Sequence, residues 1–139
     1  LYIRSFSSLL PFLMAVNPTA ADQRQINKFA RLHQNLTSLK EEMAELANEI
    51  QNINEAADEL LLLDDEDGQS IPYRYGQTFI HYNSDQMTEK LEQVKEQSQE
   101  TLDDKQAAST KISAEMDQIK KVLYAKFGDH INLETDKDE

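Results

Sequence analysis

Two groups of side chains in this sequence have the residue types for metal binding or acid–base chemistry. The first is the acidic run at residues 64–67, which Gly68 follows. Aligning Gly68 with the glycine of a calcium-binding loop places Leu63 at the first ligand position and Arg74 where a bidentate glutamate belongs. The run therefore fails as a calcium loop, and the pattern favours a solvated connector.

The second group is the three histidines, His33, His81 and His130, which are scattered along the chain. They indicate no shared metal or catalytic site, because such a site needs ligands that converge. The sequence has no cysteine, which excludes thiolate metal sites, disulfides and cysteine nucleophiles and fits a reducing compartment. No phosphate-binding glycine loop is present either. We therefore expect no enzyme activity, no metal and no cofactor.

Charge and composition point to long helices and to protein partners. The 139 residues include 26 acidic and 14 basic side chains, for a net charge of −12, but only three glycines and three prolines. So few turn-forming residues predict few turns. The negative charge repels nucleic acid backbones and anionic membranes, so we expect neither as a partner.

A first apolar stripe lies between the N-terminal region and the acidic run. Its members recur in alternating steps of three and four: Phe29, Leu32, Leu36, Leu39, Met43, Leu46, Ile50, Ile53, Ala57 and Leu60. Such a heptad pattern with polar residues on the other faces predicts a coiled-coil seam. Asp22 is the candidate helix cap, and the acidic run ends the helix.

A second stripe follows Asn83 and Ser84, either of which can cap a helix. It comprises Met87, Leu91, Val94, Leu102, Ala108, Ile112, Met116, Ile119 and Leu123.

The middle of the second stripe is weaker. Strict heptad continuation places Ser98, Thr101 and Lys105 in the seam, and a phase shift is expected at the two four-residue steps after Ala108. Lys105 is expected beside Glu41 and Glu42 of the first helix. Gly128 is the expected left-handed helix cap.

Residues 71–82 separate the stripes and have the composition of a β-hairpin. They are rich in β-branched and aromatic residues, and Gly76 allows a tight reversal. An isolated hairpin is marginal in water, so this one requires other subunits. Each stripe is narrow, so the helices are expected to fold back on each other. The predicted fold is mainly α, an antiparallel two-helix coiled coil joined by one β-hairpin.

Residues 1–21 differ from the rest because they lack acidic groups and are apolar from Leu9 to Val16. A signal peptide, a mitochondrial transit peptide using Arg4, a structured arm and a natural start at Met14 all remain open. The last would mean that residues 1–13 are absent from the native protein. We expect a disordered extension at residues 1–21, a coiled-coil and hairpin domain at 22–134, and an acidic tail at 135–139.

Three separated blocks of the sequence resemble the β-type subunits of prefoldin. They are residues 25–31 (QINKFAR), residues 71–80 with Ile-Pro-Tyr, Gly76 and Phe-Ile, and residues 123–134 with LYAKFG and INLE. The resemblance covers Asp22 to Glu134. It is more specific than a heptad pattern, which recurs in unrelated proteins.

The resemblance implies an ATP-independent cochaperone of the cytoplasm. Prefoldin is a heterohexamer of two α-type and four β-type subunits, whose hairpins form a β-barrel base that carries six coiled coils. Its partners are non-native actin, tubulin and similar clients, and the cytosolic group II chaperonin that receives them. A single hairpin fits the β type, so this chain would join two α-type and three further β-type subunits.

The resemblance also assigns two sets of residues. The subunit-assembly set in the hairpin, which contributes to the oligomeric barrel, is Ile71, Tyr73, Tyr75, Gly76, Phe79, Ile80 and Tyr82. The client-contact set at the coiled-coil tips is Ile26, Phe29, Leu123, Tyr124 and Phe127. For both sets there is a structural alternative: the hairpin residues could cover the end of their own coiled coil, and the tip residues could be ordinary end packing.

A generic coiled-coil scaffold or tether is the alternative function. A scaffold should form homodimers through its stripes, whereas a chaperone subunit should assemble with different chains through its hairpin.

Overall fold

The computed structural model describes residues 18–133, and the predictions for residues 1–17 and for the tail from Glu134 lie outside that part of the chain. The elements in chain order are helix α1 (Ala20–Leu60), a 3₁₀ turn (Asp67–Gln69), strands β1 (Ile71–Tyr75) and β2 (Thr78–Tyr82), helix α2 (Ser84–Phe127) and a second 3₁₀ turn (Gly128–His130). The predicted fold, two long helices joined by one antiparallel hairpin, is confirmed.

Helix α1 begins with a capping box, and its cap is Thr19. The Asp22 amide donates to the Thr19 hydroxyl oxygen at 3.2 Å, and the Thr19 amide donates to the Asp22 carboxylate at 2.7 Å. These reciprocal bonds satisfy two backbone donors at the helix start. The prediction that Asp22 is the cap was therefore wrong, because Asp22 is the third helical residue and completes the box that Thr19 opens. The helix begins at Ala20, three residues before the start that a cap at Asp22 implies.

Helix α2 begins in the same way and ends as predicted. Of the two cap candidates Asn83 takes the position, since its side chain accepts from the Gln86 amide at 2.8 Å and its own amide donates to the Gln86 side chain at 3.1 Å. The helix ends at Phe127, and Gly128 follows with φ of 55°. Glycine adopts this left-handed conformation without the strain that a Cβ causes.

The hairpin is short and has a two-residue turn. Tyr75 pairs with Thr78, and Gly76 in the turn has φ of 63°. The Arg74 Nε donates to the Gly76 carbonyl at 3.0 Å, which holds the turn from the side.

The chain divides into two compact units, each containing part of both helices. The described residues of the terminal unit are 18–40 and 108–133, and the hairpin unit comprises Glu41–Ala107. In the terminal unit, Asp22 pairs with Lys126 and Lys28 pairs with Glu115, so the helix segments are antiparallel.

The hairpin unit contains one ion pair that the sequence predicts. Lys105 donates to Glu42 at 2.5 Å, with its side chain 28% exposed. The expected contact between Lys105 and the acidic pair on α1 is thus confirmed for Glu42.

Each unit has its own apolar cluster. The hairpin cluster consists of buried Ile53, Met87 and Leu91, with Ala56, Ala57, Leu60, Ile71, Tyr73, Tyr82 and Val94 packed against it. The terminal cluster consists of buried Ile26, Phe29, Met116, Ile119, Leu123, Phe127, Ile131 and Leu133, with Leu32, Leu36, Ile112 and Tyr124 packed against it.

The seam of α2 changes phase earlier than predicted. Ser98 is buried, as heptad continuation requires, but the next inward residue is the half-buried Leu102, and Thr101 is exposed. The two four-residue steps therefore run from Val94 through Ser98 to Leu102. Beyond them Ser109 is buried and Ala108 is exposed, so the expected shift after Ala108 was wrong. The larger apolar side chain of Leu102 favours its burial over that of Thr101.

Candidate functional site

The hairpin has two chemically different faces, which its register defines. Cross-strand partners point to the same face of a sheet and successive residues alternate. The inner face carries Ile71, Tyr73, Tyr75, Thr78, Ile80 and Tyr82, and the outer face carries Pro72, Arg74, Phe79 and His81. The sequence-predicted assembly residues are therefore divided, with Phe79 on the outer face, Gly76 in the turn and the other five on the inner face.

Part of the inner face packs on its own subunit. Ile71, Tyr73 and Tyr82 lie against the hairpin cluster, and the two tyrosine rings make an edge-to-face contact with centroids 6.1 Å apart. The Lys90 Nζ lies 5.7 Å from the centre of the Tyr73 ring, a distance at which a cation is attracted to an aromatic face. For these three hairpin residues, the alternative that they cover their own helices describes the structure.

The rest of the hairpin is open to solvent. Tyr75 is 69% exposed, Phe79 is 58% exposed and Ile80 is 40% exposed. Within the described residues the sheet has only two strands, so each strand has one edge whose backbone groups pair with no other strand. Exposed aromatic side chains together with open strand edges are typical of a sheet that another chain extends.

An exposed leucine run in the same unit was missed by the sequence reasoning. Leu61 is 83% exposed, Leu62 is 84% exposed and Leu63 is 42% exposed. The signal was present in the sequence, because the heptad stripe ends at Leu60 and leaves three further leucines with no seam position to fill.

The sequence-predicted client-contact residues all belong to the terminal unit, and most of them are buried there. Ile26, Phe29, Leu123 and Phe127 are buried in the terminal cluster, and Tyr124 is half-buried against it. The structure thus brings the five residues together but gives four of them a packing role. Their contact with clients stays a prediction.

Two residues beyond α2 also belong to this cluster. Ile131 and Leu133 are buried with it, and the Leu133 amide donates to the Tyr124 hydroxyl oxygen at 3.0 Å. The second 3₁₀ turn (Gly128–His130) leads the chain from the helix end to these residues.

An ion pair joins the helix ends of the terminal unit. Lys126 donates to the Asp22 carboxylate, and this bond, followed by the bond from the Thr19 amide, holds the pKa of Asp22 below its ordinary value of 3.8. Both neighbours favour the charged form of the carboxyl group. A cation in the last turn of α2 also complements the negative end of the helix dipole.

Charge is divided unequally between the two units. The hairpin unit carries 18 acidic and 4 basic residues. The described part of the terminal unit, residues 18–40 and 108–133, carries 4 acidic and 8 basic residues. The net charge of −12 for the whole chain therefore combines a strongly acidic hairpin unit with a basic described part of the terminal unit.

The described residues include neither a candidate metal site nor a candidate membrane span. Across residues 18–133, no three histidine, aspartate or glutamate side chains are arranged so that they could hold a metal ion. In that same part of the chain, no helix combines the length and the apolar character that crossing a membrane requires.

Comparison with known proteins assigns the family. A family model described as prefoldin subunit matches residues 23–130, which is most of the chain and includes the hairpin and nearly all of both helices. The chain belongs to the prefoldin subunit family. It is therefore a chaperone subunit that takes part in protein folding, and the family is non-enzymatic.

Individual relatives agree with the prefoldin assignment. A probable prefoldin subunit 4 of Caenorhabditis elegans is 52% identical over 119 residues, covering 86% of this chain and 94% of the relative. Prefoldin subunit 4 of Homo sapiens is 41% identical over 122 residues, covering 88% of this chain and 90% of the relative. Prefoldin subunit 4 of Saccharomyces cerevisiae is 34% identical over 119 residues, covering 84% of this chain and 88% of the relative. Membership in this family means that other prefoldin subunits are partners of the chain.

Proposed function

We propose that this prefoldin subunit works in the cytosol as part of a heterohexamer that holds non-native proteins without ATP and passes them to a group II chaperonin. Its clients are actin, tubulin and similar chains. The observation that supports this most is the hairpin, where Tyr75, Phe79 and Ile80 are exposed beside two open strand edges. Such a surface is unfavourable in a monomer and is stabilised when neighbouring strands cover it.

In this proposal the hairpin is one segment of a β-barrel that two α-type and three further β-type subunits complete. Closing a barrel removes sheet edges, and one face of each strand then fills the interior. Tyr75 and Ile80 on the inner face and Phe79 on the outer face are available for contacts with neighbouring strands. Ile71, Tyr73 and Tyr82 instead anchor the hairpin to α1 and α2 of its own subunit.

Assembly is tested by Phe79→Lys with Ile80→Lys in the full chain, expressed together with the remaining subunits. Both side chains are exposed, so the substitution should preserve helicity, which circular dichroism checks. We expect the variant to be absent from the purified complex, because two lysines in a closing barrel bring charge into an apolar contact. The matched control is Val122→Lys, at a 60% exposed position on α2 in the other unit. Normal incorporation of the hairpin variant would refute the barrel proposal.

Client contact is proposed for the terminal cluster, with Tyr124 as the most accessible of its five candidates. Because Ile26, Phe29, Leu123 and Phe127 are buried, a substitution there changes packing as well as any client contact. Suppression of aggregation of unfolded actin should therefore be measured for Tyr124→Ser together with the thermal unfolding midpoint of the same complex. Weaker holding at a temperature where the variant is fully folded supports client contact. If the variant suppresses actin aggregation as well as the wild type until its helices unfold, Tyr124 has only a packing role.

A further inference from the structure

The leucine segment, defined as Leu61, Leu62 and Leu63, is the most exposed aliphatic surface in the described chain. Leu60, the preceding residue, packs against the hairpin cluster, whereas Leu61 and Leu62 are more than four-fifths exposed. Leucine is among the residue types most often buried, and three consecutive exposed leucines form a patch rather than scattered single residues.

Backbone hydrogen bonds hold this segment in place. The Leu61 amide donates to the Asp58 carbonyl at 3.2 Å, and the Leu62 amide donates to the Glu59 carbonyl at 3.0 Å. These bonds continue the end of α1 as a tight turn. The leucines are therefore displayed on an ordered turn at the helix end.

The residues that follow the leucine segment are held in place as well. The Gly68 amide donates to the Asp64 carbonyl at 2.9 Å, and Gly68 is buried. A Cβ at Gly68 would lie 3.5 Å from the Ser84 Cβ, so this turn sits against the start of α2. The leucine segment is thus tied at one end to the hairpin cluster and at the other to the residues that lead into β1.

We propose that the leucine segment is a second contact site for a neighbouring prefoldin subunit, one that offers an apolar surface flanked by lysine or arginine. The proposal rests on the assembly function proposed for the hairpin and extends that interface along the same unit. Within the described residues the three leucines are exposed, and Leu60 before them packs in the same cluster as Ile71, Tyr73 and Tyr82 of the hairpin. The segment therefore lies in the unit whose hairpin is proposed to contact other subunits, and an apolar patch there can extend that interface.

Charge defines the kind of neighbour. The leucines are followed directly by four carboxylates at residues 64–67, and the whole unit carries 18 acidic residues against 4 basic ones. A second acidic surface would be repelled from this site, whereas a basic one is attracted and oriented. The apolar residues supply most of the affinity of such a contact, and the charges select the partner.

A defined subunit fits this site better than a non-native client does. Surfaces that accept many different sequences are usually adaptable, whereas the leucine segment is a tight turn fixed at both ends. The adjacent carboxylates also restrict the site to basic partners. Client binding is nevertheless one of the outcomes that the following experiment distinguishes.

The test is Leu61→Ser with Leu62→Ser in the full chain, titrated into a complex formed from the remaining subunits and measured by native mass spectrometry. Because both side chains are exposed, the variant should keep its helicity. We expect its affinity for the complex to fall by roughly tenfold or more, since two apolar contacts are lost. Val122→Ser is the matched control, because it removes a 60% exposed apolar side chain from the other unit and should leave affinity unchanged.

The hairpin variant Phe79→Lys with Ile80→Lys separates this inference from the function on which it rests. If that variant fails to assemble and the leucine variant assembles like the wild type, the leucine inference is overturned and the hairpin proposal stands. If both variants assemble normally, both proposals are wrong. If the leucine variant assembles normally but holds unfolded actin less well, the segment is a client site and the inference is also overturned.

The charge of the partner is tested separately by Asp64→Asn, Asp65→Asn and Asp67→Asn in one chain. Neutralising these side chains should weaken assembly at low salt and reduce its dependence on ionic strength, because fewer charge pairs are screened. A salt dependence equal to that of the wild type would overturn the assignment of a basic partner.

Discussion

The Tyr124 hydroxyl oxygen accepts a hydrogen bond from the Leu133 amide at 3.0 Å, across nine residues of sequence. This bond ties the segment after α2 to the helix itself, while Ile131 and Leu133 are buried in the terminal cluster. The end of the described chain is therefore an integral part of the core of the terminal unit.

Tyr124→Phe should destabilise the chain by about 1 kcal/mol, because the Leu133 amide loses its acceptor while the aromatic ring stays in place. Chemical denaturation followed by circular dichroism measures the change. Tyr75→Phe is the matched control, since the Tyr75 side chain is 69% exposed and its substitution should change stability very little. Equal stability of Tyr124→Phe and the wild type would show that the bond contributes nothing.

Neighbouring positions on α2 allow a direct test of the terminal cluster. Leu123 is 1% exposed and Val122 is 60% exposed. Leu123→Ala should lower the free energy of unfolding by about 2–5 kcal/mol, whereas Val122→Ala should change it by about 0.5 kcal/mol or less. Thermal and chemical denaturation of both variants make the comparison. Similar losses at the two positions would contradict the burial of Leu123.

The Asp22 ion pair predicts a particular pH dependence. Lys126 and the Thr19 amide hold the pKa of Asp22 below its ordinary value of 3.8. The carboxylate therefore stabilises the folded chain fully above that ordinary value, and this stabilisation is lost as the pH falls towards the folded-state pKa. The stability gap between wild type and Asp22→Asn should be widest near neutral pH and should close in acid.

Denaturation midpoints of wild type and Asp22→Asn, taken from about pH 7 to about pH 2, measure this gap. This pH series includes the range in which aspartate titrates. Asp117→Asn, at an exposed position on α2, is the control and should show a small difference at every pH. A gap for Asp22→Asn that does not narrow in acid would count against the ion pair.

The pair between Lys105 and Glu42 should contribute little, although it lies along the seam. Its side chains are 28% and 46% exposed, so solvent screens the charges. A double-mutant cycle with Lys105→Gln and Glu42→Gln should give a coupling of about 0.2–1 kcal/mol that falls with added salt. The same cycle with the exposed Glu41 should give none. A coupling of several kcal/mol that salt leaves unchanged would contradict this account.

Much of the fold could be predicted from the sequence because its signals are periodic. Alternating steps of three and four define a helical seam without any knowledge of the partner. The hairpin and the turn at Gly128 were predictable because each depends on the backbone preferences of a few adjacent residues.

Two predictions were wrong, the cap of α1 and the phase of α2, because in each case two nearby residues could take the same position. Both Thr19 and Asp22 can cap a helix, and only the reciprocal bond between them shows which residue stands outside it. The phase of α2 likewise depended on whether Thr101 or Leu102 turns inward, which packing decides. Local sequence does not rank such alternatives.

The candidate site was predicted unevenly. Tyr75, Phe79 and Ile80 are exposed, and their role in assembly stays a prediction. The strand register places Phe79 on the opposite face from the other two. The clustering of Phe127 with Ile131 and Leu133 could not be anticipated, because it depends on the path of the chain after α2. The leucine segment was missed because the heptad pattern ends at Leu60 and assigns no face to the three leucines that follow.

The most direct test of the central claim is native mass spectrometry of the tagged full chain purified from its own cells. A complex of six chains of several kinds, containing one copy of this chain, is the result that the prefoldin assignment and the proposed hairpin assembly predict. A homodimer or a free monomer would contradict the proposed assembly.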